Sequence, residues 1–323
     1  EHSFNLMGGY EYNFRDYYWM TAQNRDYDND DIHYLAAGKV IFNANDNANQ
    51  TSLISYLGRF NYNFAGKYLL SASFRRDGSS RFGPNTKWGN FPAFSAGWRI
   101  SEENFMNSVP TISNFKLRAS YGFTGNDNFA DYRWISTMNQ AKVAIGDNLT
   151  TSYYPSSIEN PDLAWERTRQ LNIGIDLGLW EQRLMFEGDF YHSISDNLLL
   201  NVPIPSTSGF TNVFTNIGEV SNKGLELNIT SYNIDTKLKW TTQLNFSLNR
   251  SEVIALGADD APMIFGVNSF GSMQKINMVG EPVFSFYGYK YDGVYMNQAE
   301  IDADPSAYES ATPGDGRYVD VSG

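Results

Sequence analysis

The chain contains no cysteine, which excludes a disulfide framework and any thiolate metal site. Its three histidines, His2, His33 and His192, are scattered, so no histidine-centred catalytic or metal cluster is expected. Neither a serine nucleophile elbow nor an HExxH pattern occurs. Long apolar runs are also missing. No stretch approaches the roughly 18 to 20 unbroken apolar residues of a spanning helix, and mean hydropathy is -0.43. Basic side chains are scarce, 24 Lys and Arg against 36 Asp and Glu, for a net charge of -12. A surface of that sign repels phosphates, which excludes nucleic acid as a partner.

What is abundant is aromatic and alternating. Phe, Trp and Tyr make up 15% of the 323 residues, an excess that interface girdles of a membrane barrel would use. Between residues 3 and 250 one pattern recurs nine times: stretches of about ten residues with apolar side chains at every second position. Leu171, Ile173, Ile175, Leu177 and Leu179 alternate with Asn172, Gly174, Asp176 and Gly178. A period of two places the two sets on opposite faces of a β-strand. The apolar sets predict strands around 4–14, 54–64, 68–74, 94–100, 115–123, 171–179, 184–194, 225–229 and 240–248.

The connections predict the orientation. Residues 65–67, 180–183 and 233–237 form short turns rich in Gly, Asn or Asp, whereas long segments follow Phe14, Arg76, Thr124 and Asp196. Short turns on one side and long loops on the other describe an outer-membrane barrel with periplasmic turns and extracellular loops. Residues 101–114 are the exception, expected to hold a helical turn on the periplasmic side. The fold class expected is all-β, an antiparallel transmembrane barrel segment of nine or ten strands. Residues 1–250 form its strands, and residues 251–323 a further strand with an extracellular loop region. Open strand edges are not tolerated in lipid, Glu1 leads straight into a strand, and residues 321–323 fall in a loop. The chain is therefore expected to be a piece of a larger barrel.

Within that frame the polar faces line a wet lumen. Arg75, Arg99, Arg118, Glu187 and Asp189 are the candidate lumen- or plug-facing residues. Carboxylates such as Glu187 and Asp189 are read as solvated lining rather than as an acid/base pair. Arg75, Arg76, Asp77 and Arg81 surround an expected turn at 77–80, where an ion-pair network is favoured over substrate contact. Tyr17, Tyr18, Trp19, Trp88, Tyr132, Trp134, Tyr153 and Tyr154 fall in segments assigned to the outer side. Trp19, Trp88, Tyr132, Trp134, Tyr153 and Tyr154 are the candidate ligand contacts, since such rings stack on sugars or pack on peptide side chains. No cofactor is expected. The acidic run Asp26, Asp28, Asp30, Asp31 offers oxygen ligands for Ca2+ but lacks the Gly and Glu of an EF-hand loop. Asp315 and Asp320 are a similar, weaker case.

The stretch SFRRDGSSRFGPNTKWGNFPAFSAGWRISEENFM at 73–106 resembles the SusC/RagA-like TonB-dependent transporters of Bacteroidetes outer membranes. KLRASYGFTGN at 116–126, NPDLAWERTRQLNIGIDLGL at 160–179, SGFTNVFTNIGEVSNKGLEL at 208–227 and GEPVFSFYGYKYDGVY at 280–295 continue the resemblance in order. It implies a barrel of about 22 strands closed by an N-terminal plug. It also implies energy from the TonB complex through an N-terminal part outside this chain. A SusD-like surface lipoprotein as partner, an oligosaccharide or peptide as substrate, and assemblies of transporter–lipoprotein pairs complete the expectation. The family motifs disfavour one alternative, a siderophore or cobalamin receptor without a lipoprotein lid; a second, a soluble β-rich carbohydrate-binding protein, is set apart by membrane extraction.

Overall fold

In the computed structural model, residues 1–32, 34–257, 259–266 and 274–319 are described. Five strands come first: β1 (His2–Arg25), β2 (Val40–Phe64), β3 (Tyr68–Ser79), β4 (Trp88–Arg99) and β5 (Ile112–Asn126). A hairpin of β6 (Met138–Ile145) and β7 (Asn148–Pro155) follows, then β8 (Glu166–Leu179), β9 (Leu184–Pro203), β10 (Asn212–Asp235) and β11 (Lys239–Ala255). All but β6 and β7 join one nine-stranded antiparallel sheet in sequence order, with β1 and β11 at its open edges.

The register realises the expected two faces. Phe4 lies opposite Tyr62, Leu6 opposite Phe60 and Leu70 opposite Ala96. Phe94 meets Tyr121, Ile173 meets Phe190, and Leu227 meets Phe246. Directly opposed residues share a face, so the apolar sets of nine strands merge into one surface. Most of these side chains are exposed, Leu6 at 82% and Phe94 at 60%, as a lipid-contacting face requires. Aromatic rings border it at both ends. At the short-turn end Phe64 stacks on Tyr68 and Tyr68 on Trp98, at 6.1 and 6.4 Å. At the other end Tyr10, Tyr56 and Trp88 follow one another at 5.5 and 6.1 Å. Trp88 and Trp98 stand at the two ends of β4, about 33 Å apart along the strand. At a tilt near 40° this matches the roughly 25 Å apolar band of an outer-membrane barrel.

The short turns lie where the sequence puts them. Ala65 and Gly66 both have positive φ, 53° and 71°, the conformation of a two-residue hairpin whose twist matches its strands. The side chain of Asn63 accepts from the Gly66 amide at 2.9 Å. Residues 100–102 and 104–108 form the helical turns expected on that side, both 3-10.

The long-loop side differs from expectation. Strand β1 runs to Arg25 and β2 begins at Val40, so most of the segment taken as a loop after Phe14 is paired strand. Beyond the Leu53–Ser79 pair, where β3 ends, β1 and β2 continue as a paired ribbon. Likewise β9 and β10 remain paired up to Pro203 and Asn212. Period-two aliphatic patterning is lost there because a ribbon outside lipid has no apolar face to keep. The turn placed at 77–80 also shifts: Asp77, Gly78 and Ser79 are still in β3, and the chain reverses within 80–87.

Past Ala255 the described residues contain no strand of spanning length. Strands β12 (Met263–Gly266), β13 (Gln274–Asn277) and β14 (Ser285–Tyr287) form a small sheet, and β15 (Tyr291–Val294) pairs with β16 (Gly316–Tyr318). The region expected to hold a further strand and extracellular loop also holds α1 (Gln298–Ala303), whose N-cap Asn297 accepts from the Glu300 amide at 3.0 Å. His33, Asp320 and residues 321–323 lie outside the described residues.

The face assignment makes a prediction. Phe94→Lys, in mid-strand on the apolar face, should destabilise the detergent-folded full-length protein by about 2–4 kcal/mol. Ser95→Lys on the polar face should stay within about 0.5 kcal/mol. Urea unfolding followed by heat-dependent gel mobility checks both, and equal effects would contradict the assignment.

Candidate functional site

The polar face carries an ordered charge network. Arg118 on β5, Gly174 on β8 and Asp189 on β9 are directly opposed across three strands. The Arg118 guanidinium reaches over the glycine and donates two 2.6 Å bonds to the Asp189 carboxylate, while its Nε donates to Asp176 at 2.9 Å. Lys116 joins Asp176 at 3.4 Å. A Cβ at Gly174 would sit 2.5 Å from Arg118 Cζ and 2.6 Å from Asp189 Oδ1. The absence of a side chain there is what lets the pair close. Glu187 accepts from Asn228 at 3.4 Å and, with Asp189, Glu226, Asn245 and Ser247, lines an acidic hollow of about 300 Å³. Serines and asparagines, with Lys116 and Arg118, line a larger hollow of about 480 Å³ beside it. Arg118, Glu187 and Asp189 thus stand on the polar face.

Arg75 is also on that face and is held by ion pairs. Its Nε donates to both Asp77 oxygens at 2.8 Å, and Nη2 donates to Ser55 and to Glu11 at 2.9 and 3.2 Å. Arg81 belongs to a separate group, with Asp131 at 2.8 Å and the Asp127 carbonyl at 3.0 Å. Arg76 points to the apolar face and lies 5.2 Å over the Trp88 ring. Arg99 ties the short-turn rim, with Glu102 at 3.3 Å and the Gly66 carbonyl at 3.4 Å.

At that rim Glu103 is clasped by three donors: Tyr68 Oη at 2.7 Å, Trp98 Nε1 at 3.1 Å and Lys67 Nζ at 3.1 Å. The hydrogen bond from Tyr68, then those from Trp98 and Lys67, hold its carboxyl below the usual glutamate range.

The long-loop rim is built on a buried aromatic group. Phe82, Phe91 and Trp165 pack together with Leu53, Phe123 and Phe129 against them, and Trp165 Nε1 donates to the Lys87 carbonyl at 3.0 Å. Gly83 passes so close to Pro161 that a Cβ would fall 1.9 Å from its carbonyl oxygen. The 127–165 connection spans the top of the sheet from this anchor. Tyr132 Oη accepts from the Gln50 amide at 3.0 Å on β2. At the other end Asn216 on β10 exchanges 2.8 Å bonds with the backbone of Ala164.

This architecture sorts the ring candidates. Trp88 opens β4 on the apolar face, stacked on Tyr56, so its placement in a loop is corrected. Tyr132 spends its hydroxyl on pinning the loop. Trp134 is half-buried in the same loop, its carbonyl accepting from the Asn160 amide at 2.9 Å. Tyr153 and Tyr154 stand on opposite faces of the β6–β7 hairpin, both exposed. Tyr17, Tyr18 and Trp19 are strand residues rather than loop residues. Tyr18 shares the parity of the apolar set, and Tyr17 and Trp19 that of the polar set.

One pocket escaped sequence reasoning. Arg15, Tyr17, Asn49, Thr51, Arg81 and Asp131 enclose about 210 Å³ at the rim. The Arg81–Asp131 pair bridges fifty positions, which no local pattern reveals. The alternation of Asn43, Asn45, Asn47 and Asn49 was the available signal that β2 begins early.

The remaining titratable candidates stay apart. His2 contacts Tyr62 Oη at 2.9 Å and His192 contacts Ser221 Oγ at 3.1 Å. Asp28 pairs with Lys39, and Asp315 accepts from the Thr312 amide and hydroxyl. Among the described residues no three His, Asp or Glu side chains converge as a metal set.

Residues 1–320 match the family model described as TonB dependent receptor-like, beta-barrel. TonB-dependent receptor P3 of Formosa agariphila is 34% identical over 327 residues, covering 100% of this chain and 33% of the relative. TonB-dependent receptor SusC of Bacteroides thetaiotaomicron is 36% identical over 256 residues, 75% of this chain and 25% of the relative. The structure superposes on the RagAB peptide transporter with a TM-score of 0.79 and 28% identity, covering 92% of this chain and 32% of that one. The chain therefore spans a third or less of these three proteins.

Two outcomes follow from the geometry. Gly174→Val should cost about 1–3 kcal/mol by leaving Arg118 and Asp189 unpaired, and Gly174→Val with Arg118→Ala should cost no more than the worse single variant. Additive losses in urea titrations would show that the two residues act separately. The Glu103 clasp, having a lowered carboxyl, is fully present above the ordinary glutamate pKa and is lost as pH falls through that lowered value. Amide protection factors at 100–108, taken against the intrinsic exchange rate at each pH, should fall in that window and be already low at pH 7 in Glu103→Gln; protection unchanged by acid in the native protein would refute the clasp.

Proposed function

The chain belongs to the TonB-dependent receptor β-barrel family and is a stretch of outer-membrane barrel wall, and on that premise we propose that it serves import of an oligomeric nutrient, glycan or peptide. The observation carrying this reading is a sheet with a lipid-type belted face and a wet, charge-networked face, superposing on the wall of a peptide transporter. A polar inner wall suits a substrate that crosses hydrated. Ion pairs such as Arg118–Asp189 hold that wall rigid, so charges of both signs face the lumen without collapsing onto a passing solute. The likeness to SusC supports a SusD-like surface lipoprotein at the extracellular mouth, with the cross-stitched rim as its seat. Energy then comes from the TonB complex through the N-terminal part of the full-length protein, whose plug the acidic and basic stretches of inner wall would contact. The reading is of a transporter, in keeping with the receptor family whose barrel model the chain matches.

The test is made in cells that make the full-length protein. It should co-purify in detergent with one surface lipoprotein, and uptake of its nutrient should fall to background when TonB is deleted. Uptake that persists without TonB would falsify the reading.

A further inference from the structure

Beyond the end of β3 the paired ribbon of β1 and β2 has two unlike faces. Register pairs Tyr17 with Asn49, Trp19 with Asn47, Thr21 with Asn45 and Gln23 with Asn43. Side chains at alternate positions share a face, so these eight form one strip on the face that continues the polar wall through Arg15 and Thr51. The reverse face pairs Asp16, Tyr18, Met20 and Ala22 with Gln50, Ala48, Asp46 and Ala44, and Tyr18 there donates to Asp46 at 3.3 Å. On the strip itself, none of the four asparagine side chains makes a hydrogen bond among the described residues. Asparagine is depleted in strands, and Thr, Lys or Glu would keep a ribbon soluble at lower cost. Four asparagines at every second position therefore call for a reason beyond folding.

Their chemistry supplies one. Each amide presents donors and an acceptor side by side, which suits hydroxyls that both donate and accept. Tyr17 and Trp19 stand beside them, 54% and 39% exposed, with ring faces free for the C–H face of a sugar. From Tyr17 to Gln23 and from Asn43 to Asn49 the strip bears no charge, so an ionic oligomer finds no partner along it. Six residues of strand extend about 20 Å, room for several sugar units. At its base the strip opens into the pocket formed by Arg15, Tyr17, Asn49, Thr51, Arg81 and Asp131.

We propose that this face is a recognition strip for a neutral oligosaccharide, with the rim pocket as its inner end. The proposal rests on the import reading and names the substrate class for it. The test uses the full-length transporter purified in detergent. It is probed with neutral gluco-, manno-, xylo- and galacto-hexasaccharides, uronic and sulfated counterparts, and a decapeptide library. At least one neutral hexasaccharide should bind. Trp19→Ala and Asn47→Ala should each weaken it about tenfold, and Tyr18→Ala on the reverse face less than about twofold. All variants must keep the heat-dependent gel shift of the native barrel. Binding of peptides or acidic oligomers alone, no binding at all, or neutral-sugar affinity indifferent to Trp19 and Asn47 would each overturn the strip. TonB-dependent uptake is scored separately, so import can stand while the strip falls, and the reverse.

Discussion

The interaction on which everything else depends is the backbone hydrogen bond between neighbouring strands. In hydrocarbon an unpaired amide or carbonyl costs several kcal/mol, so a wall built of strands must pair every residue that crosses. Continuous pairing locks the parity of each strand to that of its neighbours. A slip of one residue would turn nine apolar sets toward water and every charge toward lipid. The short turns hold that parity: the Ala65–Gly66 reversal and the 180–183 turn each set the next strand in phase with the last.

With parity fixed, the polar face can carry charge at little cost. Arg118, Asp176 and Asp189 come from three consecutive strands of the sheet and meet only because the intervening position is Gly174. The same glycine reads in the sequence as one more polar-face residue of an alternating strand. Its role emerges from what lies on either side of it in space. Along the rim the logic is similar. Gly83 and the Phe82–Phe91–Trp165 group let two loops touch, so that the 127–165 connection spans the sheet as a braced beam rather than a free coil.

Legibility in the sequence followed the solvent. Where a strand touches lipid, the apolar set is compulsory, and the stretches at 54–64, 171–179 and 240–248 were readable with their faces. Past Phe14 on β1 and before Leu53 on β2 the compulsion ends, polar residues occupy both faces, and the paired ribbon resembled a loop. Trp88 was misread for a related reason. A tryptophan just outside an aliphatic run reads as loop, yet belts stand at that depth. The Arg81–Asp131 and Tyr132–Gln50 contacts join residues 50 and 82 positions apart, and no local pattern carries them. The quoted motifs identified the family without locating any of these contacts.

The end of the lipid constraint also gives composition a different meaning. Within the bilayer, a residue on the outer face reports on hydrocarbon and little else. On the free ribbon neither face answers to lipid, and strand propensity alone would fill both with Thr, Val or Tyr. The reverse face carries Tyr18 and Met20, while the inner face alternates Asn43, Asn45, Asn47 and Asn49 against two aromatic rings. Folding treats the two faces of a solvated ribbon alike. An asymmetry this regular, aligned with the polar face of the wall and ending at a polar pocket, is what the proposed recognition strip accounts for.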